Sequence, residues 1–65
     1  MAIVFDTAKI SDDNWRALRK DSNGSMISYM QNHYGANTKF DKMTGATLFI
    51  FFSRESYVEF CLKWM

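Results

Sequence analysis

The chain has 65 residues, a mass of 7.6 kDa and a formal net charge of +1, and 17% of its residues are aromatic. This length leaves room for one small domain, residues 1–65, which buries only about 60% of the surface that the unfolded chain exposes. Because Cys61 is the single cysteine, an internal disulfide is excluded. Cys61 and the single histidine, His33, are also too few ligands for a closed zinc site, which needs about four. We therefore expect stabilisation from aromatic packing, from self-association, or from both.

The charges are balanced and scattered along the chain. Residues 1–24 carry four acids and four bases, and residues 25–65 carry three acids and four bases. This distribution offers no basic patch of the kind that attracts nucleic acid or an anionic membrane. No apolar run approaches the ~20 residues of a membrane span, and the first residues lack a basic leader, so we expect a soluble cytoplasmic protein. If the chain is virus-encoded, the expected compartment is the host cytoplasm.

The first predicted elements are a strand and a helix. Residues 2–6 form a β-branched and aromatic run that is typical of a short strand. Ser11 then supplies a capping hydroxyl, and two aspartates follow it, so a helix is predicted from about Asp12. Its inward residues at a spacing of three are Trp15 and Leu18.

A break is predicted at residues 21–25, where Asn and Gly favour left-handed backbone conformations. Beyond it, Met26, Met30 and Tyr34 recur at helical spacing, and Gly35 ends the pattern. Residues 12–34 are therefore either two helices or one helix kinked at its glycine. A strand at residues 25–30 is a weaker third interpretation, because its alternation is not clean.

A hairpin and a last helix complete the prediction. Residues 38–43 and 46–52 flank a turn at Thr44 and Gly45, and Ser53 caps the helix that follows. That helix carries one apolar stripe, which two further aromatic residues widen. The stripe consists of Tyr57, Val58, Cys61, Leu62 and Met65, and the two aromatic residues are Phe60 and Trp64. The predicted fold class is a small α+β open-faced sandwich of order β-α-(α)-β-β-α, an antiparallel hairpin packed against helices.

The last predicted strand is apolar on both faces. Alternation places Leu48, Ile50 and Phe52 on one face, and Phe49 and Phe51 on the other. If the helices cover the first set, the second set forms an exposed aromatic patch, which Phe5 or Phe40 could widen. Three interpretations stay open: a helix or loop on each face, an interface with a partner or a second copy, or a platform that stacks nucleobases.

The segment Phe49-Ile-Phe-Phe52 followed by residues 53–60 resembles the third strand and second helix of an RNA-recognition-motif domain. In that family alternating aromatics precede an amphipathic helix capped by Ser and Glu. The resemblance covers about a dozen positions and implies the strand-to-helix topology; of the stacking residues only Phe49 and Phe51 carry over. The basic residue, glycine and aromatic that precede this point in the family are replaced by residues 46–48, and no fourth strand follows Met65.

Catalytic and cofactor sites are not predicted. Cys61 lies on the apolar stripe of the last helix, where a free cysteine acts as a small hydrophobe. His33 lies near a helix end, where it suits capping. The paired acids, Asp12 with Asp13 and Glu55 with Glu59, occupy capping or solvent-facing positions, and no phosphate-binding glycine loop is present. We therefore expect no enzyme activity, no cofactor and no metal.

The sequence favours a non-enzymatic interaction module or regulator that binds and occludes a partner protein, or that homodimerises, in the style of small bacterial or phage-encoded regulators. The alternatives are a single-stranded nucleic-acid-binding domain and an auxiliary subunit of an enzyme complex. The predicted interaction residues are the aromatic surplus of the hairpin and last helix: Phe49, Phe51, Phe40, Phe60 and Trp64.

Overall fold

A computed structural model describes residues 2–65; Met1, the first residue of the predicted domain, lies outside the described residues. The predicted α+β class and element order are confirmed, with two separate helices between the first two strands. The elements are β1 (Ile3–Asp6), α1 (Asp12–Asp21), α2 (Met26–Tyr34), β2 (Asn37–Phe40), β3 (Thr47–Phe51) and α3 (Arg54–Trp64). A single 3-10 turn (Thr7–Lys9) joins β1 to the segment before α1.

Serine hydroxyls start α1 and α3, as the sequence predicts. The Ser11 Oγ accepts a hydrogen bond from the Asn14 amide at 3.3 Å, and the Ser53 Oγ accepts one from Ser56 at 3.5 Å. Each bond satisfies an amide that the first helical turn leaves without a backbone partner. These caps fix the two points at which the chain leaves a turn or strand and enters a helix.

The chain between α1 and α2 turns rather than kinks. Asn23 and Gly24 both have positive φ angles, 52° and 89°, which a continuing α-helix does not allow. Two helices therefore form, and α2 ends at Gly35 in the left-handed conformation, with φ 61°. The open question of one helix or two is resolved by these consecutive left-handed residues.

The connection between β2 and β3 is longer than a tight two-residue turn. The Asp41 amide donates to the Ala46 carbonyl at 2.8 Å, and the Gly45 amide donates back to the Asp41 carbonyl at 2.8 Å. Gly45 has φ 72°, so the positive angle predicted for it is present within this six-residue loop. The strands are correspondingly shorter than predicted, because β2 ends at Phe40.

The sheet has the order β1-β3-β2, and both strand pairs are antiparallel. In the first pair Phe5 aligns with Phe49; in the second Thr38 aligns with Phe49. β3 is therefore the central strand, and the first and second strands are the two edges.

All three helices pack on one face of the sheet, and the core lies between the two layers. The core residues come from β1, β3, the three helices and two connecting positions, Ile10 and Ala36, and none comes from β2. They are Phe5, Ile10, Leu18, Met30, Tyr34, Ala36, Phe49, Phe51, Phe60 and Trp64. Phe60 is the centre of this cluster, because its ring contacts four other aromatic rings with centroid separations of 5.3 to 5.6 Å. Three of these four contacts are edge-to-face, the arrangement that aromatic quadrupoles favour.

Trp64 joins the helices by polar contacts at the end of α3. Its indole Nε1 donates to the Tyr34 hydroxyl at 3.3 Å within the core, and its carbonyl accepts from the Asn14 side-chain amide at 2.9 Å. The last turn of α3 is thereby tied to both α1 and α2. These bonds satisfy polar groups that burial would otherwise penalise.

Candidate functional site

The two faces of β3 are assigned by burial. Phe49 and Phe51 are both 0% exposed and face the helices. The expectation that they form an exposed aromatic patch is therefore wrong. The reason is steric: the ring of Phe60 and the helix layer fill the space over this face, and Phe5 of the neighbouring strand joins the same cluster.

The other predicted interaction residues also lie away from a common surface. Phe60 is fully buried and Trp64 is 5% exposed, so the prediction that they present a docking side of the last helix is wrong. Phe40 is 62% exposed, but it aligns with Thr47 and so belongs to the helix-facing side of the sheet, at the end of an edge strand. The five residues predicted to form the interaction site are thus four core residues and one isolated surface residue.

The surface that remains uncovered is the opposite face of the sheet, here called the open face. Its apolar residues alternate with the buried ones along β1 and β3 and are Val4, Leu48 and Ile50. The exposed Phe52, which directly follows β3, extends this apolar surface. Val4 is 61% exposed and Phe52 is 55% exposed, while Leu48 and Ile50 are half-buried between the edge strands. Within residues 2–65 no element packs over this face.

The strand register arranges the open face in rows. One row runs Val4, Ile50, Asn37 across the three strands, and the next runs Asp6, Leu48, Lys39. The apolar residues occupy the centre and one end, and opposite charges occupy the two edges at the other end. An apolar centre with a polar rim is the composition of a protein interface.

A second apolar patch lies on the outer side of α3. Leu62 is 83% exposed, Met65 56% and Val58 45%, because these positions point away from the Phe60 side of the helix. Of the apolar residues predicted for this helix, Phe60, Trp64 and Tyr57 pack in or against the core, whereas Val58, Leu62 and Met65 are exposed. The patch is a single helical stripe and is bordered by Arg54, Glu55 and Glu59.

Two tyrosine hydroxyls among residues 2–65 have raised pKa values. Cys61 is a half-buried free thiol one helical turn after Tyr57, and its proximity, through hydrogen bonding and then charge repulsion, raises the pKa of the Tyr57 hydroxyl. Partial burial and a 3.1 Å hydrogen bond to Asp21 raise the pKa of Tyr29 to about 12. Across residues 2–65, no three His, Cys, Asp or Glu side chains are grouped as a metal site would require.

The open-face residues were not identified from the sequence because both alternating sets of β3 are apolar. One signal favours the observed arrangement: the second set contains two phenylalanine rings, Phe49 and Phe51, against one in the first, and a small core needs that volume between sheet and helices. Phe5 lies in register with Phe49 and adds a third ring to the same side. Strand register cannot be read from one sequence, so the number of rings alone does not show which face of β3 is buried.

In the described part of the chain, no helix is both long and apolar enough to cross a membrane. No protein-family model matches the chain, and comparisons with curated proteins and with solved structures give no significant match. The geometry of the open face is therefore the observation from which a function is inferred.

Proposed function

We propose that the chain is a non-enzymatic protein-binding module that docks through its open face and acts by covering a functional surface of its partner. The observation that carries this proposal is the uncovered apolar face of the sheet. Val4 and Phe52 are each more than half exposed, and they lie beside the half-buried Leu48 and Ile50. Contiguous exposed apolar surface on a small domain marks an interaction site.

The energetics support docking through this face. Fully burying one Val or Phe side chain contributes about 1.5–3 kcal/mol of transfer free energy. Val4, Leu48 and Ile50 of the open face sit on hydrogen-bonded strands rather than on loops, so their backbone positions are fixed before binding. A preorganised surface loses little conformational entropy on association, which raises the fraction of the transfer energy that appears as affinity.

Occlusion is the mode of action that fits this surface. Residues 2–65 present an uncovered apolar face that another protein can bury, and covering a partner's surface requires no chemistry beyond binding. An auxiliary subunit of an enzyme complex would use the same face in the same way. Stacking of nucleobases has weaker support, because Phe49 and Phe51 are buried and Phe52 is the one aromatic residue on the open face.

The proposal is tested by capturing partners from cells that encode the chain with three immobilised baits. The first is the wild-type chain, the second carries Val4→Thr with Phe52→Ser, and the third carries Leu62→Ser on the outer side of α3. We expect the open-face variant to lose the specifically captured protein and the Leu62→Ser variant to retain it. Circular dichroism and urea unfolding check that both variants keep the fold.

The matched design distinguishes the two apolar surfaces. Loss of capture by Leu62→Ser with retention by the open-face variant would move the site to α3 and contradict the proposal. Equal capture by all three baits would show that neither surface is used. Recovery of RNA or DNA instead of a protein, with a salt-dependent yield, would favour the nucleic-acid alternative.

A further inference from the structure

We infer that the open face also binds a second copy of this chain, face to face, about a two-fold axis that runs parallel to β3. This inference rests on the proposed function, because it names one occupant of the same docking surface. It is carried by the positions of two charges on that face, Asp6 and Lys39.

Asp6 and Lys39 lie at the same end of the open face, on opposite edges. Both align with Leu48 of the central strand, so one row contains the acid, the leucine and the base. Strands lie about 4.8 Å apart, which separates the two charged positions by roughly 10 Å. Among residues 2–65 the one ion pair joins Lys63 to Asp21, so neither Asp6 nor Lys39 has an ion-pair partner within that range.

A two-fold axis parallel to the central strand exchanges the two edges while keeping each row opposite itself. The first strand of one copy then faces the second strand of the other, and Asp6 of each copy lies opposite Lys39 of the other. The interface gains two symmetric ion pairs, as an isologous contact requires. An axis across the strands would instead place Asp6 and Lys39 against the other end of the second copy, where Phe52 lies.

The spacing of stacked sheets suits this arrangement. Sheets pack about 10 Å apart with their strands nearly aligned, and a lysine and an aspartate together span that gap. Leu48, which lies between the charged pairs, and Ile50 in the next row would each meet their own symmetry equivalent. The half-buried centre of the open face would then become part of a dry contact.

The size of the face sets the strength of the association. Three strands of about five residues cover roughly 15 Å by 17 Å, less than the ~800 Å² per partner of a standard stable interface. We therefore expect a weak and reversible dimer that forms at micromolar or higher concentration. A partner protein that needs the same face would compete with the second copy.

The test uses charge reversal in two separate chains, Asp6→Lys and Lys39→Glu. In a homodimer of either variant both ion pairs become like-charge contacts, and we expect the dimer dissociation constant, measured by sedimentation equilibrium, to rise at least about tenfold. When the two variants are mixed, each contact again joins opposite charges, and association should return to within about threefold of the wild type. Lys20→Glu, on the exposed side of α1, is the matched control and should leave the dimer unchanged.

Mixing also controls for local effects of substitution. Asp6 accepts a hydrogen bond from the Ala8 amide at 2.9 Å, and Asp6→Lys loses that bond in the mixture as well as alone. Recovery on mixing can therefore come only from contacts between chains. Lys39→Glu has no such complication, because Lys39 is exposed and makes no side-chain hydrogen bond within residues 2–65.

Several results would overturn the inference. These are a monomeric wild type up to millimolar concentration, a dimer unaffected by both reversals, and weakened single variants that do not recover on mixing.

A dimer insensitive to charge but dissociated by Leu62→Ser would place the contact on α3. If the wild type is monomeric while the Val4→Thr, Phe52→Ser bait still loses its partner, the dimer is refuted and the proposed function stands. If the wild type dimerises as described while the Val4→Thr, Phe52→Ser bait captures the same protein as the wild type, the proposed function is refuted and the dimer stands.

Discussion

Phe49 and Phe52 lie three positions apart in the same stretch of chain but occupy opposite environments. Phe49 is 0% exposed and its ring lies 5.6 Å from that of Phe60, whereas Phe52 is 55% exposed on the open face. The difference follows from the odd spacing, which sends the two side chains to opposite sides of the sheet. The free energy of unfolding should therefore respond very differently to the same truncation at these two positions.

We predict that Phe49→Ala lowers the free energy of unfolding by about 3–5 kcal/mol, because it removes a buried ring and leaves a cavity in the aromatic cluster. Phe52→Ala is the matched control and should cost less than about 1 kcal/mol, since its ring is already largely in water. Urea unfolding followed by circular dichroism measures both values. Equal losses at the two positions would contradict the assignment of the sheet faces.

Side-chain identity alone could not make this assignment from the sequence. Both alternating sets of β3 are hydrophobic, so alternation predicts a strand but not its orientation. Which face of β3 is buried depends on its register with β1, which brings Phe5 beside Phe49, and on the packing of the Phe60 ring against both. These are contacts between distant parts of the chain, and hydrophobicity patterns do not encode them.

At the level of elements, the sequence predicts a helix start correctly where a side chain makes a specific hydrogen bond to the backbone. Ser11 and Ser53 predict helix starts because their hydroxyls bond amides in the first turn, and both bonds are present. The sequence did not separate the buried from the exposed apolar residues of α3, because apolar residues surround that helix. Only contact with the sheet distinguishes buried Phe60 from exposed Leu62.

Two serines at helix starts differ in what their side chains do. The Ser11 hydroxyl accepts from the Asn14 amide, whereas Ser25 precedes α2 without a side-chain cap bond. We predict that Ser11→Ala lowers the free energy of unfolding by about 1 kcal/mol and that Ser25→Ala changes it by only a few tenths. Chemical denaturation compares the two variants. A larger loss at Ser25 would mean that its hydroxyl caps α2 after all.

At the scale of the whole molecule, a domain of this size has a small free energy of unfolding, so binding to a second copy should be visible as stabilisation. We predict that the thermal unfolding midpoint of the wild type rises as protein concentration is raised from micromolar to millimolar. The midpoint of Lys39→Glu should stay constant over the same range, because its homodimer brings like charges together. Differential scanning calorimetry measures both. A concentration-independent wild-type midpoint would speak against self-association.

The central position of β3 also affects how the chain resists aggregation. The segment Thr47–Phe51 combines high β-propensity, high hydrophobicity and no charge, the composition from which cross-β assemblies form. In the sheet its backbone is hydrogen-bonded on both sides, by β1 and by β2, so it presents no free edge to another chain. The edge strand β2 carries Asn37 and Lys39 instead. Fibril formation should therefore require opening of the sheet, and its rate should follow the population of unfolded chains rather than that of folded ones.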